Sequence, residues 1–179
     1  KRNRKALVLH GASGAGKSYT AALVAEDIFG TSGVLKITVN DHSRLWFPPV
    51  SVKPNAKILI IDEFQWGSVA QDQVKALLSG DAPMLEVKGG YRPNTFEQII
   101  ITTNDCPRKW GVRPTKNENG VWVRDETDQA LQWDDHYIAV QRRFVAFNCS
   151  EAGTTPEERH EAIEAWLRDA LSWGLPAAA

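Results

Sequence analysis

The chain has 179 residues, enough to bury a single hydrophobic core without disulfides or a bound metal. Its formal net charge of −1, from 21 basic and 22 acidic residues, excludes a protein that coats nucleic acid through bulk positive charge. The two cysteines, Cys106 and Cys149, fall in no CxxC or Cys/His spacing, which speaks against a disulfide scaffold or a zinc site and fits a reducing compartment. No apolar run approaches the roughly 18 residues of a membrane span, so no membrane partner is expected.

In chain order, the basic run KRNRK at residues 1–5 reads as a linker or solvated arm, with a nuclear-address or nucleic-acid role as its second reading. Ala6–His10, ALVLH, predicts a buried strand. After a glycine-rich loop, Lys17–Phe29 carries Ala21, Leu23, Val24 and Ile28 at helical spacing and stops at Gly30. VLKITVN, ending at Asn40, alternates as a second strand, and the proline-containing residues 41–56 read as a loop. KILIIDEF, ending at Phe64, is a β-branched run typical of a parallel strand buried on both faces. Ser68 is placed to cap a helix that runs through Leu78 and is stopped by Gly80.

EVKGGYRPN, from Glu86 to Asn94, predicts a tight hairpin turn in which Gly89 and Gly90 supply positive φ. EQIIITTN is a fourth buried strand ending at Asn104, and the polar residues 105–135 read as a long excursion. RRFVAFNC predicts a fifth strand. Thr155, Pro156 and Glu158 form a capping box for a helix burying Ile163, Trp166, Leu167, Ala170 and Leu171. Strand–helix alternation with apolar strands predicts an α/β fold: a central parallel sheet flanked by helices, with a β-hairpin inserted before the Asn104 strand. Residues 6–150 form its core and 151–179 a C-terminal helix packed on it.

GASGAGKS comprises Gly11, Ala12, Ser13, Gly14, Ala15, Gly16, Lys17 and Ser18, between a strand and a helix. It matches the phosphate-binding loop in full: glycines turn backbone N–H groups inward around phosphates, and the helix start favours an anion. Lys17 can then reach the β- and γ-phosphates of a nucleoside triphosphate, and Ser18 can ligate Mg²⁺. Asp62, ending a buried strand, is the second candidate for the metal. Glu63, next to it, is the candidate for polarising the attacking water, which favours hydrolysis over transfer to a small acceptor. Asn104 ends a strand at the sheet edge where ligands bind in such folds. Arg142 and Arg143 precede the fifth strand; read alone they are surface cations, and in this company candidates for stabilising transition-state charge.

The ordered set GASGAGKS, ILIIDEF, EVKGGYRPN, IIITTN and QRRF resembles the superfamily 3 helicase domain of replication-initiator (Rep) proteins from circovirus-like, CRESS-DNA viruses. The resemblance spans roughly residues 6–148. It implies an AAA+-type P-loop ATPase that assembles as a hexameric ring and translocates on single-stranded DNA. Lys17 and Ser18 would be its Walker A pair, Asp62 and Glu63 its Walker B pair, and Asn104 its sensor. Arg142 or Arg143 would act on the neighbouring subunit's ATP. The hairpin would point into the ring channel with Lys88, followed by Arg92, against the DNA backbone, since phosphate contacts carry no base information. The resemblance also implies a host-nuclear location and a nuclease domain ahead of this one. Two rivals stay open: a P-loop kinase, and a module in which bound nucleotide only stabilises an assembly.

Overall fold

The computed structural model describes residues 5–39, 44–112, 114–124 and 134–172. The basic run up to Arg4, the end of the second predicted strand at Asn40, and residues 125–133 of the excursion lie outside them.

Five parallel strands form the central sheet: β1 (Ala6–His10), β2 (Val34–Thr38), β3 (Ile58–Asp62), β6 (Gln98–Thr103) and β9 (Phe144–Asn148). Their order across the sheet is β2-β3-β6-β1-β9. β3 and β6 are buried at every position, which is why they read as unbroken β-branched runs rather than alternating ones. Successive side chains point to opposite faces and build two cores. On one face, Leu7, Leu9, Ile58, Ile60 and Ile100 meet Ala21, Val24 and Ala25 of α1 (Lys17–Phe29). On the other, Val8, Leu59, Ile61, Ile99 and Ile101 meet Val74, Leu77 and Leu78 of α2 (Gln71–Ser79).

Helix α1 has the predicted bounds, ending where Gly30 at φ +72° donates to the Glu26 carbonyl. Leu23, expected on its apolar face, is instead 41% exposed. Helix α2 starts later than predicted: the Ser68 hydroxyl turns back to the Gln65 carbonyl at 2.7 Å, and Ala70 holds the cap position. The final helix, Pro156–Ser172, is opened by the expected box, with Glu158 N–H donating to Thr155 Oγ1 at 3.1 Å and Thr155 N–H to Glu158 Oε2 at 3.2 Å. Its Ile163, Leu167 and Leu171 are fully buried in the α1 face of the sheet, each worth about 1.5–3 kcal/mol of burial.

The hairpin is β4 (Met84–Val87) paired with β5 (Gly90–Pro93), joined by Lys88–Gly89. Gly89 alone takes positive φ, at +84°; Gly90 belongs to β5. Beyond β6, the polar excursion is more structured than its composition predicts. It holds the short pair β7 (Pro114–Lys116) and β8 (Trp122–Arg124), then helix α3 (Asp135–Gln141), whose start is capped by the Asp134 carboxylate on the His136 and Tyr137 N–H groups. The final helix is therefore α4.

Candidate functional site

A cleft of about 240 Å³ opens at the C-terminal edge of the sheet, lined by the glycine-rich loop, the first turn of α1, Glu63 and the end of β6. The loop turns on glycines in backbone conformations that other residues rarely adopt. At Gly11, φ is +139°, and an added Cβ would lie 2.5 Å from Ser150 Oγ and 2.9 Å from Ser150 N. The close approach is bonded: Ala12 N–H donates to Ser150 Oγ at 2.7 Å. Gly14 and Gly16 also take positive φ, at +80° and +82°, the second of them at the cap position of α1.

Lys17 is buried at the cleft floor, and its ammonium donates to Gly11 O at 2.9 Å, Ala12 O at 2.8 Å and Asn104 Oδ1 at 3.0 Å. All three donors are thus spent on neutral oxygens. Burial pushes its pKa down, against the pull of Cys149 and Asp62. A partly desolvated ammonium whose hydrogen bonds all go to neutral oxygens has much to gain from an anion.

Asp62 Oδ1 accepts two hydroxyls, from Ser18 at 2.5 Å and Thr102 at 2.5 Å, while Oδ2 lies 3.5 Å from Lys36 Nζ. Burial works against its ionisation, but the Ser18 and Thr102 bonds and the Lys36 charge outweigh it and hold the carboxyl below the usual carboxylate range. With the Ser18 proton directed into Asp62, its oxygen lone pairs face elsewhere and can serve a cation. Among the described residues no cluster of three or more His, Cys, Asp or Glu is placed to hold a metal. The pair Ser18–Asp62 is a set of hard oxygen donors that fits an ion taking its remaining ligands from phosphate and water, as Mg²⁺ does.

Thr102 does most of the positioning, and the sequence reading passed over it. Besides bonding Asp62, its Oγ1 accepts the Glu63 N–H at 3.1 Å and its carbonyl accepts the Phe64 N–H at 2.9 Å. Between them Glu63 is forced to φ +55°, a left-handed conformation that costs a non-glycine residue on the order of 1–3 kcal/mol. The turn leaves Glu63 exposed on the cleft wall, beside Thr103 and Asn104. The cue to Thr102 is register: Ile61 pairs with Ile101, so the next residues, Asp62 and Thr102, fall side by side once β3 and β6 are known to be neighbours. Ser150 was passed over for the same reason, since its partner Ala12 is distant in sequence.

Two predicted groups lie away from this cleft. Arg142 and Arg143 precede β9, whose Phe144 pairs with Ala6 while Asn148 pairs with His10. They therefore flank the opposite end of the strands, separated from the chain's own cleft by the length of β1, roughly 13 Å at ~3.3 Å per residue. Arg142 is exposed at the end of α3; Arg143 is half-buried and bonds the Ala139 carbonyl.

At the hairpin, Lys88 is exposed at the tip. Arg92 requires a correction. It is 1% exposed, and its guanidinium donates to Pro48 O at 3.0 Å, Pro49 O at 3.3 Å, Val52 O at 3.0 Å and Lys53 O at 3.0 Å. A side chain buried and bonded in this way cannot meet DNA; it pins the 48–53 loop beneath the hairpin. A second pin is the bidentate pair of Arg44 with Glu86, at 2.8 and 2.7 Å.

The chain matches no model of a known protein family and no curated protein sequence. Among the described residues, no helix is long and apolar enough to cross a membrane.

Proposed function

We propose that this chain is an ATP-hydrolysing DNA helicase domain of the superfamily 3, Rep-like kind, with an AAA+-type core working as a hexameric ring on single-stranded DNA in a host nucleus. The observation that carries the proposal is the convergence of Lys17, Ser18, Asp62, Glu63 and Asn104, from three separate segments, on one cleft. The loop N–H groups and Lys17 bind the β- and γ-phosphates, Lys17 exchanging the Gly11 and Ala12 carbonyls for phosphate oxygens. Ser18 and Asp62 hold Mg²⁺, which neutralises charge on the phosphates. Glu63, turned onto the cleft wall, accepts the proton of a water attacking the γ-phosphorus as the bond to the β-phosphate oxygen breaks, giving ADP and phosphate. Asn104, already bonded to Lys17, reports whether the γ-phosphate is present. Arg142 is the better placed of the two arginines to serve a neighbour's site, because it is exposed while Arg143 is tied to its own helix.

A kinase of small acceptors leaves Glu63 and the Lys88 hairpin without a task. The test is ATP turnover per chain against protein concentration, with and without single-stranded DNA. Turnover that climbs with concentration and rises again with DNA is expected of shared sites on a DNA-gripping ring. High turnover that is flat and indifferent to DNA would overturn the ring and reopen the kinase reading.

A further inference from the structure

Of the ten residues lining the cleft, nine are glycines, hydroxyls, an amide or charged groups suited to phosphate, cation and water; Tyr19 alone brings an apolar face. It follows Ser18 directly and is 69% exposed, although its neighbours Thr20 and Ala21 are fully buried. Such a ring contributes little to the core. It is also not alone. The His160 ring of α4 lies with its centroid 5.9 Å from that of Tyr19, at 41° between planes. Both His160 nitrogens are engaged: Nδ1 is 2.8 Å from Thr20 Oγ1, and Nε2 is 3.3 Å from Glu164 Oε2. The imidazole is therefore fixed by its edges, leaving its face as the part that remains available. Leu23, one turn beyond Tyr19 and 41% exposed, extends the same apolar strip along α1.

We propose that Tyr19 and His160 form the platform on which the base of the bound nucleotide stacks, and that this platform selects purine over pyrimidine triphosphates. The inference rests on the phosphate-loop reading. With the γ-phosphate end taken by Glu63 and Asn104, the nucleoside leaves past the first turn of α1. Stacking is sequence-tolerant and grows with ring area, so a purine gains more than a pyrimidine. Stacking engages the ring faces and not the base edge, so ATP and GTP are treated alike.

The experiment is calorimetric titration of the protein, in the presence of Mg²⁺, with ATP, GTP, CTP, UTP and inorganic tripolyphosphate. For the wild type, both purines bind about tenfold more tightly than either pyrimidine. In Tyr19→Ala that advantage disappears while tripolyphosphate affinity is unchanged, and Tyr19→Phe restores it. Wild-type ATP affinity in Tyr19→Ala, or equal loss of tripolyphosphate, would overturn the platform while leaving the phosphate loop in place. A wild-type protein that binds neither tripolyphosphate nor any nucleotide would remove the phosphate loop, and the platform with it.

Discussion

The cleft and the hairpin both depend on a buried cation held by backbone carbonyls, yet the two cations are used in opposite ways. Lys17 sits on the floor of an open cleft, and its carbonyl partners belong to the loop itself, six and five residues away. Those bonds are exchangeable, because an entering anion competes for the same ammonium. Arg92 is sealed, and its four carbonyl partners come from a loop about forty residues distant. Nothing can reach it to compete. A buried cation beside an opening is a binding group, whereas one without an opening is a fastener.

The largest expected effect tests the first half of that contrast. Lys17→Ala should cost about 2–5 kcal/mol of nucleotide binding, seen as loss of ATP binding by calorimetry. Its urea unfolding midpoint should stay near that of the wild type, since the freed carbonyls face the cleft and water. A variant that unfolds instead would make Lys17 a fastener too. Arg92→Ala leaves four carbonyls stranded under the hairpin and should lower unfolding stability by about 3 kcal/mol in urea titration. Stability within error of the wild type would end the distinction from the other side.

Lys88→Ala sharpens the comparison within the hairpin, because it removes a cation with no structural task. Stability should move by less than about 0.5 kcal/mol. On the proposed function, basal ATP turnover is kept while stimulation by single-stranded DNA is lost; retained stimulation would sink the pore role of Lys88. The smallest effect concerns Asp62. Its carboxyl is held below the usual range, so the stability it contributes is full above about pH 4 and is lost as the pH falls through the depressed folded value. Thr102→Val removes one of the hydroxyls responsible, so the folded value moves back towards the unfolded one and the acid loss becomes smaller and ends at higher pH, read from thermal unfolding in an acid series. Glu86 and Glu158 are depressed as well, so the difference between variant and wild type, rather than either curve, isolates Asp62. Superimposable acid limbs would refute the assignment.

What was legible beforehand is what local chemistry dictates. The glycine-rich loop, α1 with its Gly30 stop, the buried strands β3 and β6 and the Thr155–Glu158 box are each specified by residues adjacent in sequence. The Arg92 error came from register. A turn centred on Gly89–Gly90 pairs Lys88 with Tyr91, but the actual turn, Lys88–Gly89, pairs Leu85 with Arg92 and so places the arginine on the face of a buried leucine. One residue of slip moves every side chain to the other face. Helix α3, at seven residues, and the three-residue strands β7 and β8 are too short to display a period. Thr102 and Ser150 act through neighbours that only the sheet order brings together.

Strand β9 links the two ends of the sheet in a way that bears on timing. It pairs with β1 from Phe144 to Asn148; below it, the Arg143 carbonyl accepts the Ala6 N–H, and above it Ser150 accepts the Ala12 N–H of the glycine-rich loop. A strand bonded along its whole length has little slack, so a displacement at one end is carried to the other instead of being taken up by a loop. In the ring proposed above, a tug on Arg142 by an adjoining subunit's nucleotide would be felt at the loop that would grip this subunit's own. The strand would then behave as a pushrod, and the order in which subunits fire would be a matter of mechanical linkage.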